Sequence, residues 1–412
     1  MTPGFQSGDQ VSCRHGGIER KGTFITGRDG MAVVKLDSGY NIGVPESECT
    51  RTGPVPVQET RVRTIPQDER LPHLSIVSTG GTIASRIDYR TGAVTSQFDA
   101  DDILRAIPRL GTLARFSGVQ LSNILSENMT PAIWRNLARA CYEEIREGAA
   151  GVIVTHGTDT MAYSAAAVSF MLETPVPVVF VGSQRSADRP SSDNVMNALC
   201  AASTATSPLG EVVVVMHETT SDDRCAIHRG TRVRKLHTSR RDAFESIGIP
   251  PLGHVSYPAL EVSLSTAAAR RGSSQLALDD RLDEACRLVY FSPGMPAPDP
   301  EEYAGVHGLV VAGTGLGHVS TAWIEPLREL IGAGTAVVMT SQCHHGRVCD
   351  RVYDTGRDLL RIGVIEGEDM LPEVALVKLM WVLGKKPDDA GLRALMQSDL
   401  KGEINRRSYH GL

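Results

Sequence analysis

Over the first 55 residues, apolar and polar positions alternate in short segments. Gly22-Thr23-Phe24-Ile25 and Met31-Ala32-Val33-Val34-Lys35-Leu36 are punctuated by Asp29-Gly30 and Ser38-Gly39. Alternation broken by Asp-Gly turns predicts a small antiparallel β-barrel or meander over residues 1–55. A Pro-rich polar stretch running from Gly53-Pro54-Val55-Pro56 to Pro66 predicts a linker over 56–72. From residue 73 the pattern changes to short, continuous apolar runs separated by helical segments. The runs are Leu74 to Val77, Gly151 to Val154, Val178 to Val181 and Val212 to Val215. Unbroken Val/Ile runs are what strands become when helices cover both faces of a parallel sheet. The clearest helix begins at Pro131, behind a candidate Thr130 cap, and runs to Glu147. Its apolar stripe is Trp134, Leu137, Cys141 and Ile145. After the polar connector Arg270-Arg271-Gly272-Ser273-Ser274 a second series starts, with Leu309 to Ala312, Ala336 to Met339 and a helical Pro372 to Leu383. The expected architecture is therefore α/β. A β-barrel module precedes a larger α/β domain over 73–269, a connector over 270–284 and a smaller α/β domain over 285–412.

Composition narrows the functional classes. The 412 residues are enough for two or three cores. A net charge of -6 argues against a surface that coats nucleic acid generally, without excluding one basic face. No apolar run approaches the roughly 20 residues that span a bilayer, and Met1 to Gln10 lacks the pattern of a secretion signal. Eight cysteines without a spacing framework suit reduced thiols, so a cytoplasmic location is expected. Cys343, His344, His345 and Cys349 have only a superficial likeness to a metal site, and no metal is assigned.

Three segments carry candidate chemistry. Ser78-Thr79-Gly80-Gly81-Thr82-Ile83 follows the opening strand, and its two glycines let the backbone turn at the end where open α/β sheets place ligands. By itself such a loop is usually only a turn. Thr155-His156-Gly157-Thr158-Asp159-Thr160 again follows a buried strand and sets a hydroxyl beside a carboxylate; Asp159 could equally be a helix cap. Arg229-Gly230-Thr231-Arg232-Val233-Arg234-Lys235, continuing to Arg240-Arg241-Asp242, could be a solvated basic face or a site for an acidic partner. One lysine from it would complete a proton relay, because a threonine alcohol is a poor nucleophile until a base takes its proton.

Taken together, Thr79-Gly80-Gly81-Thr82-Ile83, Ile124-Leu125-Ser126-Glu127-Asn128-Met129, His156-Gly157-Thr158-Asp159-Thr160 and Lys235 with Asp242-Ala243-Phe244 resemble the L-asparaginase/glutaminase family over roughly residues 73 to 385. Finer blocks resemble one branch, the D subunits of archaeal glutamyl-tRNA(Gln) amidotransferases. These are Gly182-Ser183-Gln184-Arg185-Ser186, Met339-Thr340-Ser341-Gln342-Cys343, the stretch Gly367 to Leu383, and the N-terminal Lys35 to Gly43.

The resemblance implies an asparaginase-like two-domain fold and a catalytic set of Thr82, Thr158, Asp159 and Lys235, with Thr82 as nucleophile. Gly81, Tyr89, Ser126 and Glu127 would bind substrate. Glu127 stands where asparaginases often have Gln, Tyr89 lies closer to Thr82 in sequence than in many of them, and Leu316 replaces a common Asn. The implied function is a glutaminase, acting on glutamine or asparagine, that supplies ammonia for converting Glu-tRNA(Gln) to Gln-tRNA(Gln). Its partner would be the amidotransferase E subunit, which uses ATP and Mg; this chain would need no cofactor and would meet tRNA(Gln) only through the complex. A homodimeric core within a heterotetramer is implied as well. Two other readings stay open: a free-standing asparaginase or glutaminase, and a silent scaffold that binds tRNA or protein through the β module and the 224–241 segment.

Overall fold

The structure is a computed structural model that describes residues 5–53, 66–80, 86–87, 94–95, 100–187 and 189–407. Five antiparallel strands form the N-terminal module: β1 (Gln10–His15), β2 (Ile18–Arg28), β3 (Met31–Leu36), β4 (Asn41–Pro45) and β5 (Cys49–Gly53). They pair in the order β4-β3-β2-β1-β5, so the last strand returns to the first. The alternation seen in the sequence is the reason. Val11, Cys13, Phe24, Ala32, Val34, Leu36 and Val44 all point to one buried side and form a separate small core.

The second domain is built on an eight-stranded sheet. Its strands are β6 (His73–Ser78), β9 (Arg115–Gln120), β10 (Gly151–Thr155), β12 (Val178–Val181), β13 (Val212–His217), β14 (Arg224–Arg229), β17 (Gly253–Ser256) and β18 (Val262–Leu264). Among the described residues three minor pairs also occur: β7 (Arg86–Ile87) with β8 (Val94–Thr95), β11 (Leu172–Glu173) with β19 (Ala277–Leu278), and β15 (Val233–Lys235) with β16 (Phe244–Ser246). The large sheet runs β18-β17-β14-β13-β12-β10-β6-β9, parallel from β9 to β13 and antiparallel beyond. Its helices are α1 (Ala100–Ala106), α2 (Pro131–Arg146), α3 (Met161–Met171) and α4 (Asn194–Thr206).

Alternate residues of one strand serve two cores. Val152, Val154, Val178, Phe180, Val212 and Val214 face α2 and α3. Ile153, Val179, Val181, Val213 and Val215 face the other layer, with α4. This two-sided burial explains why these strands are continuous apolar runs rather than alternating ones. Helix α2 starts as its sequence predicts: the Thr130 hydroxyl accepts from the Ile133 amide at 3.3 Å, and Trp134, Leu137, Cys141 and Ile145 are buried.

The C-terminal domain is a four-stranded parallel sheet, β20 (Cys286–Tyr290), β21 (Gly308–Gly313), β22 (Ala336–Ser341) and β23 (Ile365–Glu366). It carries α5 (Ile324–Gly332), α6 (Asp354–Ile362), α7 (Pro372–Gly384) and α8 (Asp389–Met396). Helix α7 packs on α3 in one continuous apolar cluster, which joins the two α/β domains into one unit. The expected α/β architecture with parallel sheets flanked by helices, preceded by a β module, is the one observed. The connector is firmly held: half-buried Arg271 donates to the carbonyls of Ala205 at 3.0 Å and Ser207 at 2.7 Å.

Candidate active site

Strands β6 and β10 lie side by side in parallel, with Ser78 opposite Thr155 at their carboxyl ends. The chain leaves β6 toward β9 on one side and then crosses to β10 on the other. Such a reversal of strand order opens a crevice outside the strand ends. Both Gly-Thr loops of the sequence emerge there. Thr79 ties them together, because its amide and its hydroxyl both donate to the Thr155 carbonyl, at 3.1 and 3.0 Å. Gly80 has φ of +110°, and a Cβ there would sit 2.8 Å from the Ile124 carbonyl oxygen. Only glycine suits both constraints. Gly81, Thr82 and Tyr89 lie outside the described residues.

The second loop supplies Thr158 and Asp159, and Lys235 reaches them from a different element. Lys235 ends β15 (Val233–Lys235), which pairs with β16 (Phe244–Ser246) as an isolated two-stranded hairpin, with Lys235 opposite Phe244. Its Nζ donates to Thr158 Oγ1 and to Asp159 Oδ1, each at 2.8 Å. Thr158 is buried and the Lys235 side chain nearly so, whereas the Asp159 carboxylate is largely exposed. The helix-cap alternative for Asp159 does not occur. Helix α3 is preceded by Thr160, whose hydroxyl donates to the Ser126 carbonyl at 2.7 Å instead of capping.

Ser126 is buried beside this group and Glu127 is exposed next to it. A Cβ on Gly157 would fall 2.7 Å from the Ser126 Cβ, so glycine lets the two loops touch. The structure thus brings Ser126, Thr158, Asp159 and Lys235 to one end of the sheet. A carboxylate–lysine–hydroxyl chain of this kind can move a proton between a nucleophile and a leaving group.

Supporting residues appear that the sequence did not single out. His156 is fully buried, and burial pushes its imidazole down to about 4 while a 2.7 Å contact of Nδ1 with the Gly157 carbonyl opposes this. The neutral ring is a rigid prop beneath the Thr158 turn. Asp193, also fully buried, accepts from Ser183, the Gln184 and Arg185 amides and Asn197, fixing the loop after β12. A His in a Gly-Thr loop and an Asp before a helix were visible signals, but both have ordinary structural uses.

The basic run is not a free positive face. Arg229 pairs with Glu211, Arg232 with Asp369, Arg240 with Asp242 and Arg241 with Asp222. Arg234 stands 3.5 Å from Glu373. Among the described residues no group of three or more His, Cys, Asp or Glu side chains is placed to hold a metal ion.

Three family models match the chain: the GatD N-terminal domain at residues 5–51, Asparaginase, N-terminal, at 73–268, and the Glutaminase/Asparaginase C-terminal domain at 287–396. The glutamyl-tRNA(Gln) amidotransferase D subunit of Methanosarcina acetivorans is 53% identical, covering 97% of this chain and 98% of that protein. The D subunit of Halobacterium salinarum is 52% identical, with the same coverage of 97% and 98%. The chain belongs to the D-subunit family of glutamyl-tRNA(Gln) amidotransferases.

Solved structures agree at the level of the asparaginase body. The thermostable L-asparaginase from Thermococcus kodakarensis superposes with a TM-score of 0.72 at 32% identity, covering 81% of this chain and 100% of the enzyme. L-asparaginase I from Vibrio cholerae gives a TM-score of 0.68 at 27% identity, covering 81% and 99%. The complete asparaginase is thus matched by part of this chain. The five-stranded module is matched, over residues 5–51, by the GatD N-terminal domain model rather than by either asparaginase model.

Proposed function

We propose that this chain is the glutaminase subunit of a tRNA-dependent amidotransferase. It hydrolyses the side-chain amide of glutamine, or of asparagine, and its ammonia serves to convert Glu-tRNA(Gln) to Gln-tRNA(Gln). The observation that carries the reading is the Lys235 ammonium within 2.8 Å of both Thr158 and Asp159, in the crevice beside the loop that leads to Thr82.

In this reading the Thr82 oxygen attacks the amide carbon, and its proton passes through the Thr158–Lys235–Asp159 group to the departing nitrogen. The C–N bond breaks, ammonia leaves and an acyl-threonine ester remains. Water then cleaves the ester, giving glutamate and restoring the threonine hydroxyl. Backbone N–H groups of the glycine turns stabilise the oxyanion. Ser126 and Glu127 hold the amino acid's charged ends, a carboxylate at Glu127 suiting the substrate ammonium, while Gly81 and Tyr89 complete the substrate site and Tyr89 helps to activate Thr82.

The partner is the E subunit of the amidotransferase, which uses ATP and Mg to activate the misacylated glutamate. No cofactor is assigned to this chain, and tRNA(Gln) is reached through the complex. A homodimeric core of a cytoplasmic heterotetramer fits the family. No described helix is long and apolar enough to cross a membrane. The internal pairing of the basic run weighs against a scaffold that binds tRNA through residues 224–241.

The test is ammonia release from glutamine by the purified chain, with and without the partner and Glu-tRNA(Gln), beside Thr82→Ala. We expect Gln-tRNA(Gln) only in the full mixture and loss of hydrolysis in the variant. Full activity of Thr82→Ala would sink the mechanism. Hydrolysis indifferent to partner and tRNA would leave a free-standing amidohydrolase.

A further inference from the structure

The hairpin that carries Lys235 is too small to fix a catalytic side chain unaided. Strands β15 and β16 have three residues each and pair with no other strand. A lone two-stranded hairpin is marginally stable in water at best. Something outside it must hold Lys235 in register with Thr158.

The holding contacts converge on Arg232, three residues before Lys235. Arg232 is only 1% exposed. Its Nε donates to the Gly402 carbonyl, its Nη1 to the Asp369 carbonyl and its Nη2 to Asp369 Oδ2, all at 3.0 Å. Next to it the Thr231 hydroxyl donates to the Lys401 carbonyl at 2.9 Å. Asn405 closes the arrangement. Its amide and its side-chain nitrogen each reach Asp369 at 2.9 Å, and the side chain also donates to the Gly248 carbonyl at 3.2 Å, just past the end of β16. Both strands of the hairpin are therefore tied to the segment following α8.

That segment is itself held in one shape. Lys378 of α7 and Glu403 are both fully buried and lie 2.5 Å apart. The Lys378 ammonium also donates to the carbonyls of Met396 at 3.0 Å and Ser398 at 2.5 Å. Glu403 in turn accepts from the Leu400 and Lys401 amides, at 3.1 and 2.6 Å. A buried ion pair is a poor source of net stability compared with apolar packing, but it enforces one geometry because any other leaves a buried charge unpaired.

We propose that residues 396–405 are a positioning strap for Lys235, acting through Arg232, Asp369 and Asn405. The side-chain hydrogen bonds of these three run to one another and to Gly402 and Gly248 rather than to Thr158, Asp159 or Lys235. They set where the Lys235 ammonium stands relative to Thr158, and they couple the C-terminal end of the chain to catalysis in the preceding domain. The proposal rests on the amidohydrolase reading of Lys235.

The test compares Asn405→Ala and Arg232→Lys with Lys235→Ala in the full-length chain bound to its partner, reading ammonia release from glutamine well below each melting temperature. Asn405→Ala leaves the Lys378–Glu403 anchor in place, and Arg232→Lys keeps the charge but loses the fork. We expect kcat to fall about tenfold or more in both, because misplacing a reacting group by an ångström is that costly. KM should stay within about twofold, since substrate binding is untouched. Amide hydrogen exchange at residues 233–236 should speed up while that of β13 does not. The proposal is overturned if either folded variant keeps the parent kcat and the parent exchange at 233–236, whatever its melting temperature. If Lys235→Ala itself retains activity, the amidohydrolase reading fails instead.

Discussion

The two halves of the candidate active site make the same hydrogen bond from very different footings. Thr158 and Asp159 stand at the end of β10, in the interior of an eight-stranded sheet whose neighbouring strands are almost wholly buried. Lys235 stands at the end of a three-residue strand in a two-stranded hairpin. The first half is fixed by the backbone ladder and two apolar layers. The second is fixed by side chains, above all the fully buried guanidinium of Arg232 gripping a distant segment. A site of this kind has its rigidity where the sheet is and its adjustability where the lysine is.

Removing the lysine challenges this contrast most directly. Lys235→Ala should lower kcat by about 10²–10⁴, the usual worth of a positioned acid–base group, with the protein still folded by circular dichroism. Retained activity would mean that the sheet-borne half is sufficient.

Acid should act next, and on both halves. His228 lies under the hairpin, with Nδ1 2.8 Å from the Ser246 hydroxyl, and burial pushes its imidazole down to about 3. His156 under the sheet-borne loop is pushed down to about 4. Both are below the ordinary imidazole value of 6.5, so between those limits the unfolded chain binds more protons than the folded one. The contribution of these two histidines is therefore full above about pH 6.5 and falls as pH drops toward 4, by about 2–3 kcal/mol for each. Asp350, which burial and Glu366 push up to about 7, acts in the opposite direction over the same range. The check is therefore a difference: between pH 6.5 and 4 the melting temperature of His156→Gln should fall less, relative to its own value at pH 7, than that of the parent.

A smaller effect separates the halves kinetically. Gly157→Ala forces a Cβ against Ser126, on the rigid side. Overpacking at about 1–3 kcal/mol should appear mainly as a raised KM for glutamine, unlike the kcat losses expected on the hairpin side. An unchanged KM would remove Ser126 from substrate binding. Smallest is Thr130→Ala at the start of α2, which should cost about 1 kcal/mol in chemical denaturation and leave both kinetic constants alone.

The sheet-borne half was largely legible in the sequence. Val152 to Val154 and Val178 to Val181 read as doubly buried strands because nothing polar interrupts them, and the structure buries them on both faces. Thr130-Pro131 marked a helix start because a hydroxyl cap followed by proline has few other uses. The hairpin side was less legible. Arg229, Arg232, Arg240 and Arg241 look like a solvated positive face, yet each meets an acidic side chain. Arg232 and Asp369 are 137 positions apart, and local patterning carries no signal over such a distance.

The N-terminal β module, the buried strands β6, β10, β12, β13, β21 and β22, helices α2 and α7, the glycine turns at the sheet end and the family of the chain follow from the order of residues alone. They depend on periodicity, backbone conformation or contiguous motifs, which act within a few residues. It took the folded chain to bring Lys235 to Thr158, to bury Arg232 rather than leave it solvated, and to lay the segment after α8 across the base of the hairpin. These are choices of partner for charged groups. Burial makes an unpaired charge so costly that the partner must be present, but only three-dimensional packing shows which residue it is.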